Sequence, residues 1–305
     1  MKSIAIIDRE SGGIIEEKFQ AASALNLLYG NSRFSKIFRK PFHLLITRFP
    51  PFSFLYGLWQ RLPFTKKKIF PFIEKFQIDR SEFLLPINEY RSFNDFFIRK
   101  LLPAARPIAQ ENKAAVMPAD ARYSFYENIA QTKDFLIKGE KLNLKLLLQD
   151  EALASKYSQG PLIIARLAPS DYHRYHFPVD CIPGESRLIN GYLYSVNPLA
   201  IKHNVHILAQ NKRSLCNLRS ECFGDVLFIE VGATCVGTIN QTYIPDRYYQ
   251  KGSEKGYFSF GASTILLFFE PNRLIIDKDL VEAFSQGLEV KCKMGQRLGL
   301  SASGL

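Results

Sequence analysis

Four side chains in this sequence have types and settings suited to acid–base and nucleophilic chemistry: Ser263, His176, His173 and Asp120. Ser263 lies in Gly256-Tyr-Phe-Ser-Phe-Gly-Ala-Ser-Thr-Ile-Leu-Leu-Phe-Phe269, where aromatic residues lead into Gly261-Ala262 and an apolar run of strand type follows. Small residues set into a strand pattern mark a bend or a close backbone approach. A serine flanked by residues with almost no side chain leaves its own preceding amide open to attack. The plainer reading is a glycine-kinked core strand with a solvated hydroxyl.

His173 and His176 fall between two prolines in Ala168-Pro-Ser-Asp-Tyr-His-Arg-Tyr-His-Phe-Pro178, so a loop or a single helical turn is expected. Both imidazoles share a side only if that turn is helical. The pair could ligate a metal, but no third ligand is evident. It could be structural, or it could serve acid–base catalysis near neutral pH, which suits imidazole best. Asp120, in Met117-Pro-Ala-Asp-Ala-Arg122, reads as a turn former or as the carboxylate that orients a histidine. In the order Asp120, His176, Ser263 these residues make a candidate triad. No Gly-x-Ser-x-Gly elbow presents the serine to an external carbonyl. Attack by Ser263 on its own chain is the other branch.

The elements that would position these groups differ along the chain. Its 305 residues, 47% hydrophobic and 23% charged, suit a globular protein with a full-sized core. Five cysteines without CxxC spacing suggest neither a zinc site nor a disulfide framework, and favour a reducing compartment. Met1-Lys-Ser-Ile-Ala-Ile-Ile-Asp8 meets an acidic residue too early for a secretory signal, and no apolar stretch is long enough for a transmembrane helix.

The net charge of +11 is concentrated: between Lys18 and Ile73 there are ten Lys and Arg and no Asp or Glu. The remainder is close to neutral, which argues against nucleic acid as a partner. Within that basic segment Phe34–Phe76 interleaves bulky apolar residues with cations and prolines. Such amphipathic pieces suit the plane of an anionic bilayer, the alternative being that the aromatics pack against the protein's own core.

Residues 1–17 read as a short strand or hairpin, 20–29 as a helix, and 80–110 as helical, with Ser92 and Asp95 in capping-box spacing. From about residue 115 strands dominate, interrupted by a helix near 141–156. The fold class expected is α+β: a helical amphipathic N-terminal part, 1–80, followed by a β-rich catalytic core, 81–305.

At this point the residues carry a resemblance. Phe93-Asn-Asp-Phe-Phe-Ile-Arg-Lys-Leu-Leu-Pro-Ala-Ala-Arg-Pro107, Pro118-Ala-Asp120, Leu167-Ala-Pro-Ser-Asp-Tyr-His-Arg-Tyr-His176, Val231-Gly-Ala-Thr-Cys-Val-Gly237, Phe260-Gly-Ala-Ser-Thr264 and Met294-Gly-Gln-Arg-Leu-Gly299 together resemble phosphatidylserine decarboxylases, pyruvoyl-dependent proenzymes. The resemblance spans roughly residues 85–300. It implies self-cleavage between Ala262 and Ser263 into a large chain, 1–262, and a small chain, 263–305. It makes Ser263 the source of a covalent pyruvoyl group, which binds substrate as a Schiff base and acts as an electron sink. His176 becomes the base for cleavage, Asp120 its orienter, and His173 the proton donor in decarboxylation, with Tyr172 and Arg174 as neighbours. No metal is implied. The implied partners are phosphatidylserine in an anionic bilayer and the two chains of one precursor, with a homodimer of those heterodimers as the larger assembly. The implied location is peripheral, on the cytoplasmic side of the cell membrane.

Three positions depart from the family pattern. Ala262 stands where glycine precedes the cleaved serine, and alanine lacks glycine's positive-φ freedom, so slower processing is expected. Ala121 replaces the glycine after the Pro-Ala-Asp turn, and Lys212 an acidic residue. Two other function classes are carried alongside: a pyruvoyl decarboxylase of a soluble amino acid, and a non-enzymatic membrane-surface binding module.

Overall fold

The run Ile265-Leu-Leu-Phe-Phe269 is apolar at every position, as expected of a strand covered on both faces. A computed structural model of the chain describes residues 4–17, 55, 57–130, 142–194, 196, 206–233, 239–259 and 263–302, and it places this run at the centre of the largest sheet.

Among the described residues the first strands are β1 (Ile4–Asp8), β2 (Ile14–Glu17), β3 (Ala114–Val116), β4 (Ala121–Tyr126), β5 (Leu162–Leu167) and β6 (Arg174–His176). Then come β7 (Ile182–Pro183), β8 (Arg187–Ile189), β9 (Arg213–Ser220), β10 (Gly224–Gly232), β11 (Ile239–Gln241) and β12 (Glu254–Phe258). The last four are β13 (Ser263–Phe269), β14 (Leu274–Ile276), β15 (Glu289–Cys292) and β16 (Arg297–Ser301). The main sheet has the order β2-β1-β15-β4-β5-β13-β10-β9-β7, with β8 also on β9. Its strands pair antiparallel except β1 with β15. Two smaller sheets, β11-β12-β6 and β14-β16-β3, complete the β structure. The architecture is α+β.

Alternation along β13 divides the core. Ile265, Leu267 and Phe269 join one apolar cluster with Phe125, Phe177, Phe228 and Phe258. Leu266 and Phe268 join another with Leu147, Tyr157 and Leu208, which come from helices on the opposite face. The two faces of the sheet thus have separate cores. Fully buried Lys255 links the layers: it lies on β12 and pairs with buried Glu230 of β10 at 2.5 Å. The Phe228 and Tyr243 rings stand 4.8 and 4.9 Å from its ammonium.

Of the strand or hairpin expected at residues 1–17, the hairpin is present as β1 and β2. The helix expected at 141–156 is two, Leu144–Leu148 and Glu151–Tyr157. Gln149 turns left-handed at φ 48°, and the Asp150 carboxylate accepts from Leu153 N, so a local cap starts the second helix. The 80–110 segment holds a single α-helical turn, Phe93–Phe97, among 3-10 turns. Ser92 caps it as the spacing predicts, accepting from Asp95 N, while Asp95 reaches back to Arg91 N. With Ile69–Phe76 that turn encloses a satellite core of Ile69, Ile73, Phe83, Tyr90, Phe93 and Phe96. The helix expected at 20–29 and most of the basic segment lie outside the described residues. No helix among the described residues is long and apolar enough to cross a membrane.

Candidate active site

Ser263 is the first residue of β13, set between Gly232 on β10 and Leu167 on β5. Its side chain is completely buried, and its Oγ has no hydrogen-bond partner among the described residues. A buried hydroxyl with nothing to bond is a costly feature in a structural strand. Ala262 and the peptide link that precedes Ser263 lie outside the described residues.

Two segments bracket this serine. Leu167 pairs with Ser263, and beyond the gap the His173 carbonyl accepts from Phe258 N at 3.0 Å. Arg174 then pairs with Tyr257, Tyr175 with Gly256 and His176 with Glu254. Residues 174–176 therefore pair antiparallel with 254–257, and Leu167 with Ser263, so these two segments carry Ser263, His173 and His176.

The histidine phrase is not a helical turn. His176 ends the short strand β6 and His173 immediately precedes it, because pairing with β12 draws the segment into extended backbone. Residues three apart on a strand face opposite ways, and the two rings meet different surroundings. His173 is fully buried against Phe97, ring centroids 3.9 Å apart, with Nδ1 3.0 Å from the Asp171 carbonyl. His176 places Nδ1 2.9 Å from the Gly252 carbonyl and Nε2 3.3 Å from the Tyr172 hydroxyl. Burial pushes the His176 imidazole below its ordinary value, while the Gly252 carbonyl and the charges of Glu254 and Asp120 act in the opposite sense. At neutral pH this histidine is therefore uncharged and able to accept a proton.

Asp120 closes the turn before β4. The turn is fastened at its Pro118 carbonyl, which accepts from His176 N at 2.8 Å, and at its Ala119 carbonyl, which accepts from the Tyr123 hydroxyl at 2.6 Å. Among the described residues the Asp120 carboxylate takes hydrogen bonds from Arg106 Nε at 2.8 Å, Arg106 Nη2 at 2.6 Å and Met294 N at 2.9 Å. It is thus joined to His176 through the Pro118 backbone bond and through its charge, and its direct bonds go elsewhere. Arg106 is gripped on its other edge by Glu82 at 2.9 Å. Burial opposes the Arg106 charge, but Asp120 and Glu82 more than compensate and raise its pKa.

Sequence reasoning passed over the ion network behind these groups. Asp171 accepts from Ala168 N at 2.6 Å and from Arg122. Burial raises its pKa and Arg122 opposes the rise. Arg122 also meets Glu17 of β2 at 2.6 Å, and Glu17 bridges to Arg166 at 2.8 Å. A strut of alternating charges therefore runs from the N-terminal hairpin to the histidine loop. The available signals were Asp171 inside the histidine phrase and Arg122 two places after Asp120.

Comparison with known proteins adds independent evidence. The family model described as phosphatidylserine decarboxylase matches residues 93–300. A phosphatidylserine decarboxylase proenzyme of Chlamydia muridarum is 51% identical over 248 residues, 81% of this chain and 82% of that one. The proenzymes of Chlamydia caviae and Chlamydia felis are 46% and 44% identical over 301 residues, 99% of each chain. A solved glucose permease IIA of Mycoplasma capricolum overlaps 62% of this chain and 96% of its own at a TM-score of 0.29 and 11% identity, too slight to carry an argument.

Proposed function

Because the chain belongs to the phosphatidylserine decarboxylase family, we propose that it cuts itself between Ala262 and Ser263 and then converts phosphatidylserine to phosphatidylethanolamine and carbon dioxide. The observation that carries this reading is the buried Oγ of Ser263, without a partner among the described residues, at the head of the central strand. In the cleavage step His176 removes the hydroxyl proton, and Oγ attacks the Ala262 carbonyl carbon as the C–N bond breaks, leaving an ester. Loss of the Ser263 α-proton then expels the Ala262 carboxylate. The resulting dehydroalanine tautomerises and takes up water, releasing ammonia and leaving a ketone at the new N-terminus.

That pyruvoyl group suits the residues present, since the Ser263 hydroxyl is buried and bonds nothing among the described residues. It supplies an electron sink for the pair released when carbon dioxide departs. His173 holds the proton that returns to the substrate α-carbon, with Nδ1 oriented by the Asp171 carbonyl. Burial of the site excludes water from that proton transfer. The small chain stays bound after cutting, because β13 is paired on both edges and β15 lies between β1 and β4.

A diacyl substrate resides in the bilayer, and the surface at residues 55–70 suits that setting. Leu55, Leu58, Trp59, Leu62, Phe64 and Phe70 are exposed beside Lys66, Lys67 and Lys68. This surface holds the enzyme peripherally on an anionic leaflet on the cytoplasmic side of the cell membrane. Pelleting with anionic but not neutral liposomes, weakened by salt, checks the assignment; equal recovery with both removes it.

The two histidines separate the two reactions. His173→Ala is expected to cut to completion and to lose decarboxylation by at least about a hundredfold, the usual worth of a positioned acid. His176→Ala is expected to remain one chain. A gel and a carbon dioxide release assay on the same preparations decide this, and full turnover by cut His173→Ala would remove the assignment of His173.

A further inference from the structure

Arg99 follows the Phe93–Phe97 turn with its guanidinium buried over Phe96 and Phe83, at 4.9 and 5.4 Å from their ring centres. Its Nη2 donates to the carbonyls of Ser170 at 3.2 Å and Asp171 at 3.3 Å. The Asp171 carbonyl also receives His173 Nδ1, so guanidinium and imidazole share one acceptor. Nε and Nη1 of Arg99 have no hydrogen-bond partner among the described residues. The other buried arginines there each meet a carboxylate or spend their donors on backbone carbonyls, although Arg122 Nε, ion-paired with Glu17, also has no hydrogen bond among the described residues. Arg106, Arg122, Arg166 and Arg174 meet carboxylates, and Arg213 spends its nitrogens on the carbonyls of Leu146, Leu147 and Asn211. Among the described residues Arg99 combines unmet donors with the lack of any carboxylate in ion-pair contact, and it does so against the loop that carries His173.

A buried guanidinium without a carboxylate is matched to an anion. We propose that Arg99 receives the phosphodiester of the substrate headgroup, an inference that rests on the decarboxylase reading above. The headgroup offers two anions, and the chemistry selects between them. A cation held on the carboxylate would favour the ground state, whose charge must vanish as carbon dioxide leaves, and would slow the reaction. The phosphodiester keeps its charge throughout, so binding it lowers KM at no expense to kcat. It also lies only a few bonds from the α-carbon that His173 serves.

The test uses full-length Arg99→Met and Arg99→Lys, read for self-cleavage and then for decarboxylation in mixed micelles. Glycerophosphoethanolamine, a phosphodiester without a carboxylate, and free serine, a carboxylate without a phosphodiester, serve as competitors. Arg99→Met is expected to cut and to raise KM about 10- to 100-fold, in keeping with charge-assisted hydrogen bonds, with kcat within about threefold. Arg99→Lys, which keeps the charge but loses the fork, is expected to fall between it and wild type. Glycerophosphoethanolamine should inhibit wild type and not Arg99→Met, and serine should inhibit neither. A fall in kcat at constant KM would show that Arg99 only positions the His173 loop, and equal inhibition of wild type and Arg99→Met would also overturn the proposal. A phosphorus NMR titration of glycerophosphoethanolamine into the wild-type protein needs neither a variant nor turnover. Saturable binding displaced by inorganic phosphate supports the site, and absence of saturation overturns it. Wild type that binds in this titration yet never cuts would contradict the decarboxylase reading while leaving the anion site standing.

Discussion

Replacing Ser263 with alanine is expected to leave one chain of 34.9 kDa that never decarboxylates. The cut requires a nucleophile on the β-carbon of residue 263, and alanine has none. The same change should not harm the fold. The Ser263 Oγ is buried with no partner among the described residues, and such a group costs about 1–3 kcal/mol, so alanine removes a penalty and leaves the backbone pairing with Gly232 and Leu167 in place. Full loss of function with an unchanged or higher melting temperature is thus the expected combination. Ser263→Cys keeps a nucleophile and is expected to cut, more slowly. Intact-mass spectrometry reads all three proteins. The wild-type small chain should begin with a ketone that borohydride reduces, and a short fragment from Ser263→Ala would overturn the assignment.

Asp120→Asn carries the second large effect. Asparagine keeps the shape and can still accept from Met294 N, but it withdraws the charge from Arg106 and from His176. Proton removal from Ser263 creates an imidazolium, which the Asp120 charge favours, so cutting is expected to slow by on the order of a hundredfold or more. The pH dependence follows from the signs. Cutting needs neutral His176, whose pKa lies below 6.5 because burial outweighs the nearby charges. The rate should therefore be level above about pH 6.5 and fall as His176 becomes protonated in more acid solution. Removing the Asp120 charge, which raises that pKa, should move the falling limb to lower pH. Asp120→Ala adds a structural loss, since Arg106 then keeps Glu82 as its carboxylate partner along with the Ala105 carbonyl. Cutting by Asp120→Asn at the wild-type rate across this range would remove Asp120 from the reaction.

Much of the site is legible in the sequence as residue types. Ser263 stood out because small residues interrupt an apolar strand pattern, and the histidines because two lie within one proline-bounded phrase. The geometry that joins them was not visible. Local rules made the histidine phrase a loop or a helical turn, whereas pairing with β12 made it a strand and turned the two rings apart. The same limit split the helix expected at 141–156, where the Asp150 cap outweighed continuous apolar spacing.

Sequence by itself determined the α+β class, β structure at residues 1–17, the central strand and the Ser92 cap, because apolar alternation and capping depend on residues a few places apart. The tertiary structure alone decided that Asp120 bonds Arg106, that Glu17 braces Arg122 and Arg166, and that Arg99 keeps unmet donors beside the His173 loop. Those pairings join charges from distant parts of the chain, and burial rather than spacing selects which charge meets which: a desolvated ion must find its partner wherever the fold delivers one.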